Sequence, residues 1–224
     1  MCQEFKGRYS AHSDKGWKMK FLFYGSGSLG IEVWSYVSSQ YSEEKIMGYY
    51  DDAGPSEYFE NTTKLKFIDI HGLQDDIGVF VCSGTPEGRR AIASKVERLG
   101  WRLASYIHHT CIVSAYADLE PGVIMFPFSV ASIGARIGKG SIINSYSGIG
   151  HHAKIGNYSV LSSQVDVSGY AEVGEACFLG SGSRVAPKKK VGSGSQVSIG
   201  VSVIRSCAPG TTFLPIVAQS LKRG

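Results

Sequence analysis

Ser141-Ile-Ile-Asn-Ser-Tyr-Ser-Gly-Ile-Gly-His-His-Ala-Lys-Ile-Gly-Asn-Tyr-Ser-Val-Leu161 returns an aliphatic residue at every sixth position, and two places before each stands a small one. The aliphatic series is Ile143, Ile149, Ile155 and Leu161; the small series is Ser141, Ser147, Ala153 and Ser159. Read outward at steps of six, the large series runs without an insertion from Val113, Leu119, Met125, Ala131 and Ile137 to Val167, Val173, Leu179, Val185, Val191, Val197 and Val203. The small series runs from Cys111 to Val201, broken in character at Lys189. A period of six fits neither an α-helix nor an alternating hairpin, and an internal repeat outranks local propensity in assigning a fold. The physical solution is a solenoid with three hexapeptides to a coil, the aliphatic filling the interior and the small residue easing the chain round a corner. About five coils fit between 113 and 203, above the roughly three that such arrays need to bury a continuous core. Gly138, Gly150, Gly156, Gly174, Gly180 and Gly192 directly follow the aliphatic, where a tight turn is expected to use positive φ. A β-sandwich would have to keep this phase by accident.

The repeat resembles the left-handed parallel β-helix of the hexapeptide acyltransferases. The handedness comes from the resemblance, since periodicity alone does not set it, and the resemblance implies an acyl-CoA donor.

With 224 residues and the repeat filling the C-terminal half, a second domain precedes it. A net charge of +4 is mild, and the basic residues are scattered rather than striped along a helix, so nucleic-acid binding is not indicated. Cys2, Cys82, Cys111, Cys177 and Cys207 lack metal or redox spacing and read as reduced, structural thiols of a cytosolic protein. No apolar run approaches the roughly 20 residues of a membrane span. Residues 1–18 have no apolar h-region and read as a disordered leader, with Met19 an alternative start.

Order begins with the apolar run Lys20-Phe-Leu-Phe-Tyr24, followed by Gly25-Ser-Gly-Ser-Leu-Gly30 and then Ile31 to Val37 at helical apolar spacing. Strand, glycine turn and helix in this order form an anion cradle, with backbone N–H groups and the helix N-terminus facing a phosphate. Lys45 to Tyr50 reads as a second strand ending at Asp51-Asp52, about twenty residues beyond Gly30, where a dinucleotide-binding unit places the acid that accepts from a ribose hydroxyl. Val79 to Cys82 is a further strand, Ser83-Gly84-Thr85 a turn, and Pro86 to Leu99 a helix with Ala91, Ile92, Val96 and Leu99 on its apolar face. Residues 19–106 thus make a small Rossmann-like unit, too short for two mononucleotide halves, and residues 107–224 the β-helix.

Over nearly the whole chain this arrangement is similar to the bacterial sugar acyltransferases that include UDP-4-amino-sugar N-acetyltransferases and sialic acid O-acetyltransferases. The resemblance is carried by Tyr24-Gly-Ser-Gly-Ser-Leu-Gly30, Gly48-Tyr-Tyr-Asp-Asp52, Ile107-His108, Ile142 to His151, Cys177-Phe-Leu-Gly180, Ala208-Pro-Gly-Thr-Thr212 and Pro215. It implies a nucleotide sugar held at Gly25, Ser26, Gly27, Ser28, Asp51 and Asp52. It also implies acetyl-CoA bound along the β-helix at Gly169, Gly180, Ser181 and Lys189, between subunits of a homotrimer.

Acyl transfer from a thioester requires removal of a proton from the attacking amine or hydroxyl, a task suited to imidazole near neutrality. His12 lies in the leader, His71 in a polar loop and His108 with His109 at the domain junction. His151 matches the family's catalytic base; a solvated corner residue is the alternative. His108 reads as structural, capping the first coil. Gly169, one coil above His151, matches a donor-contacting glycine and would let a pantetheine arm pass. Lys188-Lys189-Lys190 with Lys222 and Arg223 would meet CoA phosphates or form a solvated face. No metal cluster or Ser-His-Asp arrangement is readable.

The reading is therefore N-acetylation of a nucleotide-linked amino sugar. O-acetylation of a sialic-acid-like sugar and a silent sugar-nucleotide-binding scaffold are the alternatives. Two departures matter: His152 stands where relatives have an acid, and Val160 where a second histidine is often found. In extended chain adjacent side chains point to opposite sides, so only His151 is expected to reach the acceptor.

Overall fold

The computed structural model describes residues 19–73 and 76–215; the leader, Lys222 and Arg223 lie outside them. The N-terminal part contains β1 (Lys20–Tyr24), α1 (Ser28–Val37), β2 (Ile46–Tyr50), α2 (Glu57–Thr63), β3 (Ile77–Val81), α3 (Pro86–Arg98) and β4 (Arg102–Leu103). Its four strands form one parallel sheet in the order β2-β1-β3-β4. Parallel strands buried on both faces need unbroken apolar runs, and β1 and β3 supply them. Phe21, Phe23 and Phe80 on one face pack with Val33 and Val37 of α1, while Leu22, Val79 and Val81 on the other pack with Ala93 and Val96 of α3.

The face of α3 differs from the expectation. Arg89, Ala93 and Val96 are buried, whereas Ala91 and Leu99 are exposed. Helix α2 was not anticipated either; Ser56 caps it by accepting from the Phe59 amide, and Phe59 anchors it in the core.

From Tyr106 onward the chain winds as a solenoid of about six turns, with two-residue rungs in three parallel sheets. Sheet I has seven rungs, from Tyr106–Ile107 to Thr212–Phe213; sheet II has six, from Ile112–Val113 to Ser202–Val203; sheet III has five, from Asp118–Leu119 to Lys190–Val191. The repeat thus begins one rung before Val113. It ends with a shortened coil, since Val197 pairs with Phe213 at a step of sixteen rather than eighteen, and the Cys207 amide takes the place of a further sheet III rung by bonding to the Lys190 carbonyl. The expected aliphatics from Leu119 to Val203 fill one interior core.

The small position does more than ease a corner. Ser159 donates its hydroxyl to the Gly174 carbonyl (2.8 Å) and accepts from the Cys177 amide (3.1 Å); Ser141 and Ser147 bond alike. A buried hydroxyl that both donates and accepts has its desolvation cost offset by the two bonds and ties successive coils together.

The glycines after the aliphatic are needed for a different reason from the one expected. None of Gly138, Gly150, Gly156, Gly174, Gly180 and Gly192 has positive φ; the left-handed position falls two residues later, at Gly134, Gly140, Tyr146, His152, Tyr158, Tyr170 and their equivalents. A Cβ on Gly156 would instead lie 2.5 Å from the Glu175 amide nitrogen of the next coil. Close coil-to-coil approach is the constraint there.

The apolar outer face of sheet I, including Ile124, Ile142 and Val160, packs into the same cluster as Phe23, Phe59 and Phe80 of the N-terminal part. Val160 is therefore a core residue. Among the described residues no helix is long and apolar enough to cross a membrane. Gly156→Ala should cost about 1–3 kcal/mol as an overpacking change, and Gly182→Asn, at an open left-handed position (φ 69°), less than about 0.5 kcal/mol. Urea unfolding of the two variants checks the distinction.

Candidate active site

Two places gather the residues singled out by the sequence. The first is the turn after β1. Gly25 has φ 115°, and a Cβ there would lie 2.8 Å from the Cys82 carbonyl oxygen; a Cβ on Gly30 would lie 2.5 Å from the Gly25 carbonyl oxygen. Both glycines are required by the fold. Gly27 is not: its φ is −78° and no atom lies within 4 Å of where its Cβ would stand. It forms the N-cap of α1, which has no side-chain cap and no acid in its first turn, whereas Ser56 caps α2 and Thr85 caps α3. Among the described residues no side chain caps the positive end of α1, which starts at Ser28 near the Ser83–Thr85 turn, at the carboxyl ends of β1 and β3.

Asp51 holds this turn in place. Its Oδ2 accepts from both the amide and the hydroxyl of Ser26 (2.8 Å each), and its Oδ1 accepts from the Ala53 amide (2.9 Å). Asp52 accepts from the Tyr24 hydroxyl (2.6 Å) and the Tyr50 hydroxyl (3.2 Å) and is paired with Lys95. The Lys95 ammonium also lies 5.4 and 5.1 Å from the Tyr24 and Tyr50 ring centroids. Burial works to raise the Asp52 pKa, but the hydrogen bonds from Lys95 and Tyr24 outweigh it and hold the carboxyl below its ordinary value. Burial, then Asp52, pushes the Tyr24 phenol up to about 12. The two carboxylates assigned to a ribose are therefore largely engaged within the protein.

The second place is the corner between sheets II and III. His151 and His152 are exposed there, on the turn between Gly148–Ile149 and Lys154–Ile155. The His151 ring lies over Gly169 of the next coil; a Cβ on Gly169 would stand 2.4 Å from His151 Nε2. Gly169 has no positive φ, so the ring itself fills the space the sequence reading reserved for a ligand arm. His152, at φ 58°, turns the other way, and its ring lies over Gly134 of the preceding coil. The chain is not extended here, and the two Nδ1 atoms end 3.5 Å apart. Tyr170 stacks on His152 (4.9 Å, 6°) and meets His151 edge-on (5.0 Å, 87°). Tyr170 escaped the sequence reading although it stands one coil beyond His152; Lys95 escaped it because nothing in its spacing points to Asp52.

Lys189 follows at the same corner, beyond Lys188 (φ 62°), while Lys190 is paired with Glu172 at 2.9 Å. Gly180 and Ser181 lie at the other edge of sheet II, where a Cβ on Gly180 would meet the Ile199 amide nitrogen at 2.7 Å. His108 is structural: it is buried against Tyr36 and bonded through Nδ1 to the Thr110 hydroxyl (2.8 Å), and burial, then His109, lowers its pKa. Among the described residues no three His, Cys, Asp or Glu side chains are grouped to hold a metal ion. The N-terminal part packs on sheet I, and the His151 corner joins sheets II and III.

No protein-family model matches the chain. Solved structures match it over most of its length. The acetyltransferase domain of PglB from Neisseria gonorrhoeae FA1090 has a TM-score of 0.75 at 23% identity, covering 86% of this chain and 95% of that one. A single-residue variant of perosamine N-acetyltransferase from Caulobacter crescentus, in complex with CoA and GDP-perosamine, has a TM-score of 0.77 at 22% identity, covering 86% and 92%. WeeI from Acinetobacter baumannii AYE has a TM-score of 0.76 at 20% identity, covering 87% and 95%. This chain has their fold.

The lowered Asp52 pKa gives a stability that is present above the unfolded-state value near 3.9 and lost as pH falls through the folded-state value. Asp52→Asn should therefore be less stable than the natural protein at pH 6, with the gap closing toward pH 3; urea midpoints across that range measure it.

Proposed function

We propose that the protein is an acetyl-CoA-dependent N-acetyltransferase of a nucleotide-linked amino sugar, with a UDP-4-amino sugar as the first acceptor to test and His151 as general base. The observation that carries the reading is the seat of His151: an exposed imidazole whose Nε2 lies over a glycine that no backbone torsion demands. The shared fold with proteins named as acetyltransferases, one of them solved with CoA and GDP-perosamine, supports it.

In this reading the described residues from 19 to 106 are a Rossmann-like domain and those from 107 onward a left-handed β-helix. Gly25, Ser26, Gly27 and Ser28 cradle the diphosphate of the acceptor on the uncapped end of α1. Gly25 makes the turn, Gly27 leaves room for the phosphates and Gly30 lets helix and turn close. Asp51 keeps the Ser26 amide and hydroxyl in place, and Asp52 with Lys95 stiffens the rim. Acetyl-CoA lies along sheet II between Gly169 and Lys189 at one edge and Gly180 and Ser181 at the other, with Lys189 toward its phosphates. The acceptor nitrogen attacks the thioester carbonyl carbon and the C–S bond breaks. The proton released from nitrogen passes to His151 Nε2 and on to the departing CoA thiolate, which restores the neutral imidazole. A backbone N–H near this corner meets the oxyanion.

In the same reading, with the N-terminal part on sheet I and His151 at the corner of sheets II and III, the acceptor held by one copy is delivered to the histidine of a neighbour. A closed homotrimer satisfies that arrangement with one repeated contact.

His151→Ala should lower kcat by roughly 10²–10⁴-fold, the span for a general base, with acetyl-CoA affinity little changed; steady-state kinetics with a UDP-4-amino sugar decide it. Near-normal turnover would remove His151 from its role. Gly27→Leu should fold normally, since the position is open, and retain acetyl-CoA binding while losing affinity for the nucleotide sugar at least tenfold. Calorimetric titration of each ligand separates the two sites, and loss of both together in folded protein would refute it.

A further inference from the structure

The corner that carries His151 holds two imidazoles. Gly134 on the preceding coil and Gly169 on the following one each leave vacant the place where a Cβ would collide with a histidine ring, at 2.8 Å from His152 Cδ2 and 2.4 Å from His151 Nε2. Tyr170, bonded through its amide to the His151 carbonyl (2.9 Å), lies flat on His152 and edge-on to His151. The two Nδ1 atoms face each other at 3.5 Å with the rings at 82°.

We propose that His152 is a positioning residue that holds His151 in its Nδ1–H tautomer, and that Tyr170 keeps His152 in place for that task; this rests on the reading of His151 as the base. Two nitrogens that face each other cannot both present lone pairs or both present protons without repulsion, so one donates to the other. His151 Nε2 is the ring nitrogen away from His152, at the end of the ring that lies over Gly169 of the next coil. For that nitrogen to be the base its lone pair must be free, and the ring proton must then sit on Nδ1. Nδ1–H of His151 donates to Nδ1 of His152, whose own proton is then on Nε2. A carboxylate at position 152 would accept the same bond with a full charge. A neutral imidazole accepts it without one, and the bond shortens when substrate excludes water, as catalytic hydrogen bonds do.

The left-handed φ of 58° belongs to this position of the repeat, and at His152 it turns the ring back toward Gly134 and brings Nδ1 beside that of His151. The 6° interplanar angle with Tyr170 sets the plane of the His152 ring, in which its lone pair lies.

The test is long-range ¹H–¹⁵N correlation spectroscopy at pH 8 on the full-length protein labelled with ¹⁵N-histidine. Ring signals are assigned by their loss in His151→Ala and His152→Ala. The expected result is His151 as the Nδ1–H tautomer in the natural protein and reversion toward the Nε2–H tautomer, which an unconstrained imidazole prefers, in His152→Ala. Tyr170→Phe keeps the stacking surface and should keep the natural pattern, whereas Tyr170→Ala should resemble His152→Ala. His152→Glu should retain the Nδ1–H tautomer. In turnover with a UDP-4-amino sugar, His152→Ala should lower kcat by roughly tenfold at unchanged KM, the cost typical of losing an orienting partner. An Nε2–H His151 in the natural protein, or a tautomer unchanged in His152→Ala, overturns the proposal. The spectra need no substrate, so they stand apart from the kinetic failure of His151→Ala that would instead overturn the assigned function.

Discussion

Everything in the C-terminal half depends on the backbone ladder between a residue and its equivalent one coil on. The Gly148 amide bonds to the Val165 carbonyl and the Gly150 amide to the Val167 carbonyl, and the same step recurs up each sheet. Because the rungs are only two residues long, register is held by the strict period rather than by long pairings. A single inserted residue would carry the aliphatic of that rung out of the interior and bring a polar neighbour in. The period also places His151 against Gly169 and His152 against Tyr170, so the geometry of the candidate site follows from the stacking rule that builds the core. The serine ladder reinforces this rule where the interior wall turns, since Ser141, Ser147 and Ser159 bond only to neighbours in register.

A second constraint joins the halves. Arg89 of α3 is fully buried and donates to the carbonyls of Val81 (3.0 Å) and Ser83 (2.9 Å) and, through Nε, to the carbonyl of Gly140 in the solenoid. Burial, partly opposed by Cys82, lowers its pKa to about 10, so it stays charged at neutral pH. With no carboxylate among these partners the charge is met by carbonyl dipoles, and its Nη2 has no hydrogen-bond partner among the described residues. Such a group is costly to bury and is tolerated because it fixes the Ser83–Thr85 turn relative to the solenoid. The exposed pairs Lys139–Glu97 and Arg90–Glu175 span the same boundary but, being solvated, add little energy.

The fold was legible in the sequence wherever one physical demand repeats. Every coil requires an aliphatic at the same place, so the interior could be read from Leu119 to Val203. The glycines at positions such as Gly156 were equally visible, but their cause was not, because torsion and steric clearance leave the same residue behind. The apolar face of α3 was misread because a buried arginine breaks the polarity pattern on which such reading rests. Helix α2 is seven residues long and mostly polar, and it exists through a cap and one buried phenylalanine rather than through periodicity. At the candidate site, His151 stood out through family resemblance and Gly169 and Tyr170 lay one coil away in countable positions. The engagement of Asp52 by Lys95 had no signature, since it joins the ends of β2 and α3 across the tertiary fold.

The two places singled out in the chain are held by different means. The turn after β1 is fixed from within the N-terminal part, by Asp51 on Ser26 and by Arg89, which ties the Ser83–Thr85 turn to the solenoid. The His151 corner is placed by the period, since Gly169 and Tyr170 stand against it at the step of one coil. Buried cost is concentrated at Arg89, whereas His151 and His152 stay exposed. The stacking that fills the core with aliphatics therefore leaves its corner histidines at the surface, where ring-to-ring contacts rather than burial hold them.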